Sequence, residues 1–235
     1  MAKAIDSVAT ILDKLEDFYG PQQARWPTDP YSSLVWWHCG YPASDAACQR
    51  GWESLNREIG AGVEQLLSAP MPKLAAALKP GGMVPELRAM RLKEIAARMK
   101  DEFGGDLRTA LTGPLVAVRK LLKKFPNIAD PGADRVLLFA GIAPLAAVPS
   151  NCPHVLVRIL HGHERENYAR TYSEAQQAIE QQVPARLDVR TRAYLLLKRH
   201  GQEICKRTKP KCSECPVSSA CAYFAGNGRG RAAPA

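Results

Sequence analysis

Apolar residues recur along this chain at helical spacing, without the alternation that marks strands. Ile5, Val8, Leu12, Leu15 and Tyr19 line one face of residues 4–19, and Gly20-Pro21 ends the pattern. Asp29 is placed to cap a second helix, with Pro30 in its first position; the segment YSSLVWWHC that follows is apolar on most sides, which predicts a buried helix. Gly40-Tyr41-Pro42 breaks it, and Ser44 or Asp45 caps a third helix through SDAACQRGWESLNREI. Short helices are expected over 63–69 and 72–79, punctuated by Pro70, Pro72, Pro80 and Gly81-Gly82. A long amphipathic helix runs from Pro85 to about Phe103. Its pattern predicts Leu87, Met90, Leu92, Ile95, Ala96 and Met99 inward, with Arg88, Arg91, Lys93, Arg98 and Lys100 on the other faces. LVAVRKLLKKF after Gly113-Pro114, a buried helix through Val155, Leu156 and Val157 with Arg158 at its edge, and residues 188–204 complete an all-α pattern. There is no internal repeat, and only the tail AGNGRGRAAPA has the bias of a disordered end.

Composition adds a compartment and a charged region. At 235 residues, 46% hydrophobic and 23% charged, the chain reads as a soluble globular protein with one large domain or two small ones. No apolar run reaches spanning length, and charges run through MAKAIDSVATILDKLEDF, which predicts neither a signal peptide nor an anchor. The net charge is +9, and residues 186–235 hold eleven Lys and Arg against three Asp and Glu. Residues 1–185 are close to neutral, so nearly all the excess gathers at one end. A basic patch of that density suits a phosphate backbone, and a solvated, solubilising tail is the alternative. Four of its cations, Lys206, Arg207, Lys209 and Lys211, fall within a cysteine-rich loop whose fold would fix their positions.

That loop, CKRTKPKCSECPVSSAC, carries Cys205, Cys212, Cys215 and Cys221, with six, two and five residues between successive cysteines. Four soft thiolates within seventeen residues suit a tetrahedral metal or an iron–sulfur cluster. Zinc sites usually come as two short pairs across a longer loop. One tight pair with longer arms on both sides favours the larger, cube-shaped group. Seven cysteines is an odd total, and with four of them reading as ligands a reducing cytosol is expected rather than a disulfide framework. Cys39, Cys48 and Cys152 read as packing thiols, and His161-Gly162-His163 as solvated.

The cysteine spacing, with HGQEIC before it and CAYF after it, resembles the iron–sulfur loop of the endonuclease III family of DNA glycosylases. DPYSSLVWWHCGYPASDAACQRGW and MRLKEIAARM followed by FGGDL extend the resemblance, which covers roughly residues 5–224. It implies an all-α, two-domain protein. Residues 23–143 would form a six-helix barrel ending in a helix–hairpin–helix, residues 1–22 and 144–224 a [4Fe–4S] domain, and 225–235 a disordered tail. It further implies a monomer, cytoplasmic and nucleoid-associated, that holds double-stranded DNA, damaged or distorted, mostly through phosphates. In the family, a glutamine in the turn after the second helix fills the gap left by a flipped base. Pro42 stands at that position here, after Tyr41, whose ring either stacks on bases or packs the turn.

The resemblance breaks where the family does its chemistry. The family hairpin reads Leu-Pro-Gly-Val-Gly-Arg-Lys, its glycines approaching a phosphate and its lysine serving as the catalytic amine. The match here is FPNIADPGADRVLLFAG: Phe125-Pro126 open it, Asn127 and Ala129 replace the glycines, and Pro131 replaces the lysine. Asparagine tolerates a left-handed backbone, whereas proline offers neither an N–H nor an amine. The family's catalytic aspartate aligns with Pro149 in VPSNCPHVLVRIL, at the family's own separation from Pro131. Loss of that amine predicts no Schiff-base lyase chemistry. Asp130 and Asp134 flank the hairpin as candidate replacements, with His154, His38, Cys39 and Asp45 as weaker ones. Glu164–Arg170 reads as an exposed insertion. Three functions stay open: a DNA reader without the usual lysine and aspartate chemistry, an active monofunctional glycosylase with relocated residues, or an iron–sulfur electron-transfer or interaction protein.

Overall fold

The computed structural model describes residues 6–227, and among them every regular element is helical. The chain divides into two compact units, Met1–Gln23 with Ala143–Ala235, and Ala24–Ile142. Ile5 and most of the glycine- and arginine-rich tail lie outside the described residues.

The first unit opens with α1 (Val8–Tyr19). The Ala24–Ile142 unit contains α2 (Pro30–His38), α3 (Asp45–Glu58), α4 (Val63–Ser68), α5 (Met71–Leu78), α6 (Pro85–Phe103), α7 (Leu107–Ala110), α8 (Leu115–Leu122) and α9 (Asp130–Phe139). Their starts follow the local chemistry. The Asp29 carboxylate accepts from the Ser32 amide at 2.9 Å with Pro30 in the first turn, and Ser44 rather than Asp45 caps α3 by accepting from the Ala47 amide. Leu34, Trp36, Leu55, Leu74, Leu78, Leu92, Ile95, Met99, Leu122 and Phe125 are buried in its core.

Helix α6 departs from the sequence expectation. Leu87 and Met90 are exposed, at 40% and 59%, while Arg88 is buried at 1%. The inward stripe through Leu92, Ile95, Ala96 and Met99 continues back to Arg88 and Ala89, four and three residues before Leu92, not to Leu87 and Met90. Arg88 is tolerated inside because its guanidinium meets three backbone carbonyls: Cys39, Gly82 (2.6 Å) and Met83 (3.1 Å). Gly81 lies against the same Cys39 carbonyl, where a Cβ would collide with it.

The unit that begins with α1 continues with α10 (His154–His161), α11 (Tyr168–Gln182), α12 (Leu187–Glu203) and α13 (Ala222–Asn227). Val8, Ile11, Leu12 and Leu15 of α1 pack with Val155, Leu156, Ile159, Ile179, Leu196 and Leu197. Two short 3-10 turns, Cys212–Glu214 and Ser218–Ala220, are the only regular structure between α12 and α13. Residues 225–227, expected in the tail, belong to α13, whose Ala225 amide donates to the Cys221 carbonyl.

Candidate functional site

The cysteine loop is built from the end of α12. The Ile204 and Cys205 amides both donate to the His200 carbonyl, and the Lys211 amide returns to the Ile204 carbonyl at 3.0 Å. These bonds turn the chain so that Cys205, Cys212, Cys215 and Cys221 line one cavity of about 340 Å³, open space at its mouth included. Ile159, Ile204 and Phe224 supply apolar wall. Burial pushes the Cys205 thiol up to about 12, with the hydrogen-bonding Arg158 guanidinium working the other way, and pushes Cys215 up to about 11. Among the described residues no group of three or more His, Cys, Asp or Glu is placed to hold a metal ion.

Arg158, expected at the edge of α10, is instead buried, at 6% exposure. Its Nη1 donates to the Lys206 carbonyl and its Nη2 to the Arg207 carbonyl, both at 2.9 Å. Nη2 also pairs with Glu164 at 2.6 Å, and the guanidinium lies 4.9 Å over the Tyr223 ring. Glu164 is therefore no simple part of an exposed insertion: it bridges Arg158 and Arg207, the latter at 3.1 Å. The His154 ring Nε2 meets the Cys205 carbonyl at 2.7 Å, so this histidine is also committed to the loop. His200 is fully buried between the Tyr19 hydroxyl, 3.0 Å from Nδ1, and the Cys215 sulfur, 3.6 Å from Nε2. Burial, and after it the neighbouring His154, brings His200 down to about 4.

The four loop cations are all exposed. Arg207 is tied to Glu164, and Lys211 lies 3.5 Å from Glu214. Among the described residues neither Lys206 nor Lys209 has a carboxylate within ion-pair distance.

In the other unit, a tight turn joins α8 to α9 where the sequence predicts a hairpin. Asn127 adopts φ 56°, the left-handed region, and with its amide oxygen turned toward Arg91 it accepts from that guanidinium at 3.1 and 3.2 Å. Ala129 is the N-cap of α9 with no side-chain cap, and Pro131 sits in the first turn. The Pro126 carbonyl is bonded by His38 Nε2 at 2.9 Å, while Nδ1 meets the Leu34 carbonyl, so His38 braces the hairpin instead of standing free.

Asp134 is buried at 1% and paired with Arg119 at 2.6 Å. That enclosure commits the carboxylate to an ion pair inside the unit, in contrast to the open position a replacement catalyst needs. Asp130 is exposed at the N-terminus of α9, 2.8 Å from the Lys123 ammonium. Pro149 lies in the irregular, buried stretch before α10, between Val148 and Ser150.

Tyr41 stacks on Trp37, with ring centroids 4.7 Å apart at 22°, and the Tyr41-Pro42 peptide is cis. Pro42 is exposed. A Cβ added at Gly82 would lie 3.7 Å from the Ala43 Cβ, which brings the Met83-Val84 loop near this turn. Met83 is 82% exposed and Val84 52%. Neither residue of this apolar pair is singled out by the sequence reading. The signal that marks it is two large apolar side chains next to Gly81-Gly82 and Pro85, where a polar turn is the norm.

Helix order, two-unit division and the cysteine loop define an all-helical fold of the endonuclease III type, the fold of DNA glycosylases. No protein-family model matches the chain. Superposition on a non-covalent endonuclease III–DNA complex covers 94% of this chain and 97% of that one, with a TM-score of 0.76 at 16% identity. A thermostable thymine-DNA glycosylase gives a TM-score of 0.73 at 21% identity, over 93% and 97% of the two chains. In sequence, a thymine-DNA glycosylase from Aeropyrum pernix is 24% identical over 208 residues, spanning 88% of this chain and 89% of that protein. No helix among the described residues is long and apolar enough to cross a membrane.

Proposed function

We propose that this protein binds damaged or distorted double-stranded DNA and carries a [4Fe–4S] cluster on Cys205, Cys212, Cys215 and Cys221. It is a base-excision-type reader that lacks the lysine and aspartate chemistry of the endonuclease III family. The observation that carries the reading is the hairpin: the left-handed turn at Asn127 persists, yet the first turn of α9 presents Pro131 where an amine would stand.

DNA binding is supported by the likeness to an endonuclease III–DNA complex and to thymine-DNA glycosylases. The chain's own residues are consistent with it. At the hairpin, Lys123 neutralises Asp130, so the start of α9 does not repel a phosphate. Around the Tyr41 turn, Tyr41, Pro42, Met83 and Val84 form an apolar, partly aromatic surface of the kind that stacks on or wedges between bases. Lys206 and Lys209 supply positive charge that no described carboxylate neutralises.

Four thiols on one cavity are a donor set that suits an iron–sulfur cluster, and the single tight Cys212/Cys215 pair with longer arms on both sides favours it over a zinc ion. The Arg158 guanidinium and the His200 imidazole lie beside the sulfurs, where they can offset thiolate charge. When bound, such a group supplies a covalent crosslink across the loop and one-electron exchange.

Without an amine no Schiff base forms on the sugar, so strand scission by elimination has no route, and base release would require activated water. Single-turnover incubation with abasic, uracil, oxidised-pyrimidine, alkylated-purine and mismatched duplexes tests the reading. Binding without released base, strand breaks or a borohydride-trapped adduct is expected. Base release without strand breaks would establish the second reading, an active monofunctional glycosylase, for which the exposed Asp130 is the first acidic candidate to test. Asp130→Asn would then abolish the release.

Neutralising the basic loop gives a separate expectation. Because Arg207 and Lys211 are already paired, Lys206→Gln with Lys209→Gln should account for most of the effect. The slope of log affinity against log salt should fall by about 2 in a titration of duplex binding, evenly across sequences. An unchanged slope would return the loop to a solvated surface.

A further inference from the structure

We propose that Tyr19 and His200 form a hydrogen-bond relay that aims the His200 Nε2–H at the Cys215 sulfur and so sets the electron affinity of the iron–sulfur group held there. The inference rests on the cluster reading above. Its starting point is a buried imidazole with both nitrogens in contact. Nδ1 is 3.0 Å from the Tyr19 hydroxyl, and Nε2 is 3.6 Å from the Cys215 sulfur. His200 has no exposed surface, so water does not replace either partner.

Two proton arrangements satisfy those distances when Cys215 is a thiol. In one, the thiol donates to Nε2 and Nδ1–H donates to Tyr19. In the other, Nε2–H donates to sulfur and Tyr19 donates to Nδ1. Metal ligation leaves a single choice. A metal-bound thiolate has no proton and only accepts, so Nε2 must carry the hydrogen. Nδ1 is then bare, and the Tyr19 hydroxyl becomes the donor that holds this tautomer.

The phenol is itself fixed from several sides. The Phe18 ring meets it edge-on at 4.9 Å, and the Arg199 guanidinium lies 5.0 Å over its face. Arg199 is anchored by Gln22 at 2.9 Å and Glu203 at 3.0 Å. The His200 carbonyl also accepts the Cys205 amide that begins the loop. One residue therefore starts the loop with its backbone and closes on the third cysteine with its side chain. Tyr19 extends the contact from α12 to the C-terminal end of α1.

A hydrogen bond to a ligand sulfur favours the more negative, reduced state and raises the reduction potential. Outer-shell partners of this kind also slow ligand loss, with typical effects of about 10–100-fold on metal affinity. Tyr19 and His200 are positioning residues: they act through Cys215.

The test compares Tyr19→Phe, His200→Gln and His200→Leu with the wild-type full chain, all purified anaerobically. Iron content, midpoint potential, iron release to a chelator and helix content are measured. Tyr19→Phe should keep iron stoichiometry and helix content but lower the potential. His200→Leu should lower it further and release iron about 10-fold faster. His200→Gln, whose amide can still donate to sulfur, should recover part of both. Packing alone would lower thermal stability and leave the potential unmoved. Brown wild-type protein whose potential and iron release are the same in Tyr19→Phe and His200→Leu overturns the relay and leaves the cluster reading standing. Colourless, iron-free wild-type protein of normal helix content overturns the cluster reading and the relay with it. Should His200→Leu fail to fold, Tyr19→Phe decides the matter, since it removes one hydroxyl and no ring.

Discussion

Cys215→Ser protein should emerge from anaerobic purification without the broad absorbance near 400 nm expected of the wild type and with little bound iron. Its melting temperature should fall by about 10 °C or more. Residues 205–221 contain only two single-turn 3-10 segments, and Val217 is the one fully buried side chain among them. Chain entropy of roughly 1–2 kcal/mol per residue is not offset by so little apolar burial. On the cluster reading proposed above, crosslinking through the thiols supplies the order of the loop, and metal-binding energy is then folding energy. The unit holding α2–α9 has a core of its own, so far-ultraviolet ellipticity should drop only in part. Limited proteolysis should cut the variant within 205–221 and spare the wild type. A variant that stays brown, holds full iron and melts normally would remove Cys215 from the ligand set.

Arg88→Met should destabilise the protein by about 3 kcal/mol, which for a chain of this size lowers the melting temperature by about 10 °C. Methionine fills much of the same space, so the loss comes from hydrogen bonding. The guanidinium is the donor for the Cys39, Gly82 and Met83 carbonyls. The Cys39 carbonyl is enclosed by Gly51 and Gly81, leaving no approach for water, and would be stranded at the full desolvation cost. The Gly82 and Met83 carbonyls lie nearer solvent and would rehydrate more cheaply. Because Arg88 joins the Tyr41 turn to the Met83-Val84 loop, affinity for distorted duplex should weaken even at temperatures where the variant is folded. Chemical denaturation and a binding titration on the same preparation measure both effects. Unchanged stability would mean that the carbonyls find other donors.

Helix existence is legible in the sequence because the chemistry that starts and stops these helices is local. Asp29, Pro30 and Ser44 act within one turn of themselves, and the structure places each as the pattern predicts. Which way a helix faces is less legible. In α6 the apolar positions Leu87 and Met90 compete with Ala89 for the inner face, and the outcome goes to the side that can satisfy a buried arginine. Those three carbonyls belong to residues 39, 82 and 83, and no reading of α6 alone locates them. Arg158 repeats the lesson, since its partners Lys206 and Arg207 lie almost fifty positions away in sequence.

The candidate site divides in the same way. Spacing alone singles out Cys205, Cys212, Cys215 and Cys221, and the same sequence places Pro131 and Pro149 where the family has its lysine and aspartate. Those are statements about which atoms are present, and a missing amine is missing in any fold. What the tertiary structure decided was availability. Asp134 and Asp130 are equivalent candidates as letters, yet one is sealed against Arg119 and the other is exposed beside Lys123. Arg207 and Lys211 are paired while Lys206 and Lys209 meet no described carboxylate, and His200 touches both Cys215 and Tyr19, the latter 181 residues away. Local sequence sets propensity, capping and chemical inventory; burial, charge pairing and hydrogen-bond partnership depend on residues distant in the chain, and only packing brings those together.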